Sequence, residues 1–509
     1  MTWLHENFRL GAPSMKPNLY LGIDQGTSST KGVLLDESGG AVAEWSAAVP
    51  DARYDERCVE QDPEGLLASV LAIFDKARQF AADEECVIRG AGLGVQRSGV
   101  LAWRSSDGAS VHPMITWADT RTYPQIQGFG RGVELISGKT GLPTIPNFAA
   151  GKIQLLQRKF LDPVIHVATL DTYLLFRLSK GNVFVTEDTM ASRTMLYALS
   201  EQNWSEELCR QFAVDKQRLP RINPSLAPHT SYEGIPIVAL LGDQQAALLG
   251  RMNAANRPLL TLGTIASLTA NTGNAPVQKP VLKTSVLYSR LIPNAAVRDV
   301  FFLSELTSSV TGNVLLEPLR RSWCASSEEL QAQCEQSFKT NPAGLATAYF
   351  VHKQDPSEVW PHGTPNVMVC KPGTTVADRA RAVVENVGNL IVRMLEQFAE
   401  KEMLGEVFPA QIDLAGGGSE LDYLVQYIAD VSGHSFHRLS AREAGSRGAA
   451  LAAMISVQGR EDTCAFNMEP STKVFVCENP ERRKRYLIWQ RMEQDVLKNT
   501  LPPHAEIEE

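Results

Sequence analysis

Apolar positions along this chain follow two periods, and the change from one to the other marks its elements. Residues 19–24 (LYLGID) and 31–35 (KGVLL) are short apolar runs separated by Gly-Thr-Ser-Ser, which predicts two strands. So short a spacer makes them antiparallel neighbours in a hairpin, not the parallel pair of a βαβ unit. Ala41 to Val49 (AVAEWSAAV) predicts a third strand. In Pro63 to Phe80, Leu66, Leu67, Val70, Leu71 and Phe74 recur at helical spacing. Strand-like VIRGAGLGV (87–95) and VLAWR (100–104) follow. Three strands, a helix and a strand predict a mixed sheet with helices packed on it, an α/β fold. The second half opens similarly: Leu259 to Asn271, LLTLGTIASLTAN, is again strand, Gly-Thr, strand. The shared shape reads as a weak internal repeat, two domains of one design with a boundary near 250–257, each opening with a hairpin whose turn faces a cleft. Residues 480–498, with Tyr486, Leu487, Trp489 and Met492, predict a C-terminal helix packed back onto the body.

Length and composition then narrow the class. A chain of 509 residues has room for two sizeable domains. The formal charge of −8 gives no electrostatic case for nucleic acid or an anionic membrane as partner. No apolar run is long enough to span a bilayer, and the first 18 residues lack the basic-then-apolar order of a secretory signal. Residues 1–16 read as an N-terminal extension. The eight cysteines are scattered without a C-x-x-C pair, as expected of thiols in a reducing cytosol. His434 and His437 are spaced like metal ligands but lack cysteine or acid company, and no H-E-x-x-H occurs. The expectation is a soluble cytoplasmic protein.

Chemistry is concentrated in three turns. In LGIDQGTSSTKGVLL (21–35) a strand ends in Asp24, and a Gly-Thr-Ser turn and Lys31 follow. Unblocked backbone N–H groups and hydroxyls suit phosphate oxygens. Asp24 would repel a phosphate unless a cation lay between them, and Mg²⁺ takes both kinds of oxygen. The alternative is an ordinary hairpin with Asp24 as a turn-former. In IPIVALLGDQQAALLG (235–250) a buried strand ends in Gly242, then Asp243, then a helix. Asp243 is placed either to act in a cleft or merely to cap that helix. In GGGSEL (416–421) glycines let a ligand approach the backbone closely. Gly132 to Thr140 (GVELISGKT) has five residues between its glycines where a P-loop needs four, so it reads as a surface helix end. No G-x-G-x-x-G follows the first strand, which disfavours a dinucleotide fold.

Taken in order, D-Q-G-T-S-S-T-K, V-E-Q-D-P at 59–63, G-V-Q-R-S-G at 94–99, W-A-D-T-R at 117–121, L-G-D-Q-Q-A-A at 241–247, L-G-T at 262–264 and G-G-G at 416–418 resemble the FGGY family of carbohydrate kinases over residues 17–500. The resemblance implies an actin-like ATPase fold: two similar ribonuclease H-like domains around a central cleft. Residues 17–250 would carry the sugar and the first phosphate loop, 251–460 most of the ATP contacts, and 461–509 a C-terminal segment. It implies Asp243 as the general base and Asp24 as the Mg²⁺ holder with Asp243 nearby. Gly26, Thr27, Ser28 and Lys31 match the first phosphate loop, and Gly263 and Thr264 the second. Gly312 matches a glycine near the adenosine, and Gly417 and Gly418 the adenine-side loop. Gln96, Arg97, Trp117, Asp119 and Gln244 fall where members contact the sugar. Glycerol kinases carry Arg-Glu where this chain has Arg97-Ser98, and a tyrosine at Asn147. The pattern Gln96 to Gly99 with W-x-D-x-R leans toward sedoheptulokinase or xylulokinase, although Arg97-Ser98 replaces their Met-His. Leu316 stands where glycerol kinases place a glutamine near ATP. The expected reaction is transfer of the ATP γ-phosphate to a terminal hydroxyl of a ketose or polyol, with Mg²⁺. The alternatives are a glycerol kinase-like polyol kinase and a catalytically silent sensor on the same fold. A chaperone or filament-type relative is opposed by the sugar-site string. A homodimer is left open by the resemblance.

Overall fold

The computed structural model describes residues 16–130, 132–251, 257–263, 266–278, 282–292, 297–308, 322–350, 366–399, 409–439, 444–459, 471–497 and 505–508. The first hairpin forms as its short spacer requires: β1 (Asn18–Gln25) runs antiparallel to β2 (Ser29–Leu35), and β2 to β3 (Ala41–Ala48). Helix α1 (Pro63–Asp83) buries Leu66, Leu67, Val70 and Phe74. The side chain of Asp62 accepts from the Glu64 and Gly65 backbone N–H groups at 3.1 Å each, so Asp62-Pro63 in the 59–63 motif starts this helix. Beyond it β4 (Val87–Val95) runs parallel to β1. Two more strands, β5 (Leu226–Tyr232) and β6 (Ile235–Gly242), form a second hairpin, with β6 parallel to β4. Strand β6 is buried at all but Pro236, as expected of a parallel strand covered on both faces. Helix α2 (Asp243–Leu249) follows directly.

The second half repeats this plan. Strands β7 (Leu259–Leu262) and β8 (Ala266–Gly273) are antiparallel, β9 (Lys283–Leu291) pairs with β10 (Arg298–Ser308), and β10 pairs with β8. After α3 (Val376–Ala399), β11 (Gln411–Ala415) runs parallel to β7, and β12 (Ser435–Leu439) parallel to β11. Helix α4 (Ala444–Gln458) and β13 (Ser471–Phe475) complete the set. Among the described residues one sheet runs β13-β12-β11-β7-β8-β10-β9-β5-β6-β4-β1-β2-β3. It contains the same five-strand pattern twice, β3-β2-β1-β4-β6 and β10-β8-β7-β11-β12, with the same parallel and antiparallel senses. The short Gly-Thr resemblance between the two hairpins therefore marks equivalent strands of a duplicated fold.

Two details differ from the sequence reading. Val100–Arg104 joins a separate five-stranded sheet with Arg53–Asp55, Cys58–Gln61, Ser110–Ile115 and Ile165–Thr169. Between β4 and that strand, Ser98 takes a left-handed φ of 64°, which turns the chain out of the large sheet. On the C-terminal helix, Arg482–Leu497, Tyr486 and Trp489 are buried in the core of the second half, but Leu487 faces solvent. No described helix is long and apolar enough to cross a membrane.

Candidate active site

Sheet register assembles the site. Across the three parallel strands, Asp24 lies opposite Gly94 and Gly94 opposite Leu241, so Gln25, Val95 and Gly242 end side by side. The next residues along β4 and β6 are Gln96, Arg97 and Asp243. Ligands of parallel α/β sheets gather at this carboxyl edge, where chains leave the strands and side chains are not covered by the sheet. The carboxylate of Asp24 occupies space that only a glycine leaves open: a Cβ on Gly445 would come within 2.1 Å of Asp24 Oδ2.

The turn expected to bind phosphate is held from three sides. Within the hairpin, Gly26 N–H donates to Ser29 O at 3.1 Å, and Lys31 lies opposite Asp24. Gln61 donates to Thr27 O at 3.0 Å, and Trp117 Nε1 to Thr27 Oγ1 at 3.2 Å. Buried Gln96 donates to Gln25 Oε1 at 3.2 Å. Ser28 at the tip is exposed. The structure thus brings Thr27, Gln96 and Trp117 together, joining the expected phosphate turn and the expected sugar site. Asp119 sits differently. It is fully buried, accepts from Val59 N–H at 2.7 Å, and binds Arg121 through both oxygens at 2.7–3.0 Å. These bonds place Asp119 as an anchor of the loop that presents Trp117.

Asp243 is the first residue of α2. Gly242 holds the N-cap position, so the capping alternative does not describe this side chain. Oδ1 accepts from Gln244 N–H at 2.7 Å and from Arg97 Nε at 3.0 Å. Burial raises the carboxyl above its ordinary range, partly offset by Arg97. The Arg97 guanidinium also donates to Gln245 Oε1 at 3.4 Å and to Glu305 Oε2 at 3.0 Å. Glu305, on β10, faces Arg193 Nη1 at 3.6 Å and Lys283 Nζ at 4.0 Å. Burial opposes its ionisation, but Arg97, Arg193 and Lys283 outweigh that and hold it well below the usual carboxylate range. Burial pushes Lys283 down to about 8 and Arg193 down to about 10. The residue after Asp243, Gln244, is half-buried beside it.

In the second half, a Cβ on Gly416 would lie 2.6 Å from Leu262 O, so the glycine turn closes directly onto the strand leading into Gly263. A Cβ on Gly417 would meet nothing within 4 Å, and Gly417 and Gly418 begin a short 3-10 turn. Thr264, Gly312 and Leu316 lie outside the described residues. Sequence reasoning missed Glu305, Arg193, Lys283 and Lys152. Its available signal was charge within apolar strand sequence, as in FFLSELTS around Glu305.

Two carboxylates on one strand edge, Asp24 and Asp243, match what Mg²⁺ takes from proteins, one or two acid oxygens completed by phosphates. No described cluster of three or more acid, histidine or cysteine side chains forms an all-protein metal cage.

The duplicated sheet and the acids at its carboxyl edge define a mixed α/β kinase of the actin-like ATPase fold. The chain belongs to the FGGY family of carbohydrate kinases: the family's N-terminal domain matches residues 19–250 and its C-terminal domain residues 259–457. It is accordingly a phosphotransferase with an alcohol acceptor. A glycerol kinase of Citrifermentans bemidjiense is 29% identical over 467 residues, covering 88% of this chain and 91% of that relative. A glycerol kinase of Thermus brockianus is 30% identical over 453 residues, covering 85% and 88%. The crystal structure of Plasmodium falciparum glycerol kinase with ADP superposes with a TM-score of 0.83 at 22% identity, covering 96% of this chain and all of that one. These sequence relatives side with the polyol alternative and not with the lean toward sedoheptulose or xylulose.

Proposed function

We propose that this chain transfers the γ-phosphate of ATP to a terminal hydroxyl of a polyol-class acceptor, with Asp243 as the general base. The observation that carries the reading is the row of strand ends that puts Asp24, Arg97 and Asp243 on one edge of three adjacent parallel strands. Both bonds described for Asp243 fall on Oδ1, and its side chain is 28% exposed, so Oδ2 is the atom to take a hydroxyl proton. A carboxyl raised by burial holds that proton better than an ordinary aspartate does, while the nearby Arg97 works in the opposite direction, favouring the carboxylate. Lys31 and the N–H groups of residues 27 and 28, at the tip that the Gly26–Ser29 hydrogen bond closes, supply positive potential where phosphoryl oxygens would lie. Asp24 and Asp243 would hold Mg²⁺, which when bound neutralises phosphate charge. Gln96, Trp117 and Gln244 would line the acceptor side, with Asp119 fixing the Trp117 loop. Gly263, Thr264, Gly312, Gly417 and Gly418 are assigned to the nucleotide.

The test is ADP release with Mg-ATP over glycerol, erythritol, xylulose, ribulose and sedoheptulose. Asp243→Asn keeps the fold by circular dichroism and loses about 10²–10⁴-fold in turnover. Turnover of Asp243→Asn at the wild-type rate would remove Asp243 as the base.

A further inference from the structure

The group of charges that the two halves bring together around Glu305 is more cationic than phosphotransfer to a neutral alcohol requires. Residues directly opposed in antiparallel strands share a face, and so do residues two apart on one strand. Register sets Thr307 opposite Ser267 and Glu305 opposite Lys283. Ser267, Lys283, Glu305 and Thr307 therefore share one face, and Lys283 Nζ donates to Thr307 Oγ1. From the first half, Arg97 and Arg193 reach Glu305, and Arg97 ties the group to Asp243. Among the described residues three cations meet two carboxylates, an excess of one positive charge. Uncompensated charge away from bulk water is costly, so such a group is expected to be completed by an anion.

Unused donors mark where that anion sits. Arg193 is 5% exposed, its guanidinium lies over the Phe148 ring at 4.9 Å, and among the described residues neither Nε nor Nη1 makes a hydrogen bond, Nη1 only facing Glu305 Oε2 at 3.6 Å. Ser267 is 8% exposed and among the described residues its Oγ also has no hydrogen-bond partner. Lys283 and Asp243 keep side-chain exposures of 21% and 28%, so the cluster is open on the side of the base. A guanidinium edge, an ammonium and a hydroxyl together suit a planar two-oxygen anion. In the sheet order β9 and β10 lie on the opposite side of β6 from β1 and β2, so these groups flank Asp243 away from the first phosphate turn.

We infer that the acceptor is a polyhydroxy acid whose carboxylate docks on Arg193, Lys283 and Ser267 while its hydroxyl faces Asp243. This rests on the kinase reading above and narrows its acceptor class. Neutral polyols leave the donors unmatched and react more slowly.

The full-length protein is assayed for ADP release on matched pairs: D-glycerate and glycerol, D-erythronate and erythritol, D-gluconate and sorbitol. Binding of the same six compounds and of glycerol 2-phosphate is measured by calorimetry. At least one acid is expected to exceed its matched polyol tenfold or more in kcat/KM. Lys283→Met and Ser267→Ala are expected to lower that acid-to-polyol ratio, the former tenfold or more, and Lys283→Arg to retain most of it. If neutral acceptors are preferred throughout, or the ratio is unmoved by Lys283→Met, the acid site is wrong and the kinase assignment stands. A rise in KM for ATP in Lys283→Met, equal for every acceptor, would assign the cations to the nucleotide instead. Tighter binding of glycerol 2-phosphate than of any acid would overturn the carboxylate. If no acceptor releases ADP, the kinase reading fails, and calorimetry decides the acid site alone: no binding of any acid ends it.

Discussion

Lys152 carries an amine into the interior, fully buried, donating to Asn147 O at 2.7 Å and Ser98 O at 3.2 Å. It thereby joins the turn after β4 to the segment whose Asn147 side chain donates to Trp117 O at 3.1 Å. Burial pushes its pKa down to about 7, against about 10.4 for a free lysine. Between those values the unfolded chain binds a proton that the folded chain lacks, so stability from this site rises with pH from about 7 to about 10 and is lowest below 7. Urea denaturation at pH 7 and pH 9 should show the wild type gaining on Lys152→Met by at most about 1.4 kcal/mol per pH unit. Parallel curves for the two proteins would show that Lys152 is charged when buried. Asp24 and Asp243 were legible in the sequence because each follows an apolar strand and precedes a turn or helix. Lys152 was not, because the helical run around it does not report which face meets the turn after β4.

At the scale of elements, α4 is the member that fastens the second half to the first. A Cβ on Gly448 would stand 1.7 Å from Ala246 O on α2, and one on Gly22 of β1 would stand 1.8 Å from Ser446 O. Backbones in such contact leave no volume for a methyl group, and neither neighbour is a flexible side chain that can move aside. Gly448→Ala should cost about 1–3 kcal/mol or more through overpacking, seen as a lower urea midpoint. Because Ala246 follows Asp243 within the same helix, kcat should fall as well. An unchanged midpoint would mean that α4 and α2 can separate freely. The sequence A-G-S-R-G-A-A-L-A-A-M announces small residues at 444–454, but the elements they admit lie about 200 and 420 residues away.

For the molecule as a whole, Glu305 is the acid of the second half that meets Arg97 and Arg193 of the first. Removing one partner of a buried pair leaves charge uncompensated, so Glu305→Gln should cost about 3–5 kcal/mol. Salt should change this little, since buried pairs are weakly screened. The carboxyl is held low, so its contribution is complete above the unfolded value of about 4.3 and is lost as pH falls through the folded one. The wild-type advantage in urea midpoint over Glu305→Gln should therefore be full at pH 7 and shrink only in acid. Equal midpoints at pH 7 would show that the cations balance without Glu305.

Local sequence by itself determined the two hairpins, α1, and the acids and glycines at strand ends, because strand period, turn chemistry and capping act over a few residues. It also carried the family through the order of short motifs. Only the tertiary structure decided that the two halves share one strand order, that Val100–Arg104 leaves the large sheet, and that Asp119 holds Arg121. It alone placed Lys283, Ser267 and Arg193 around one face. Those outcomes depend on which strands pair and in what register, and pairing energy comes from partners far apart in the chain that no local pattern encodes.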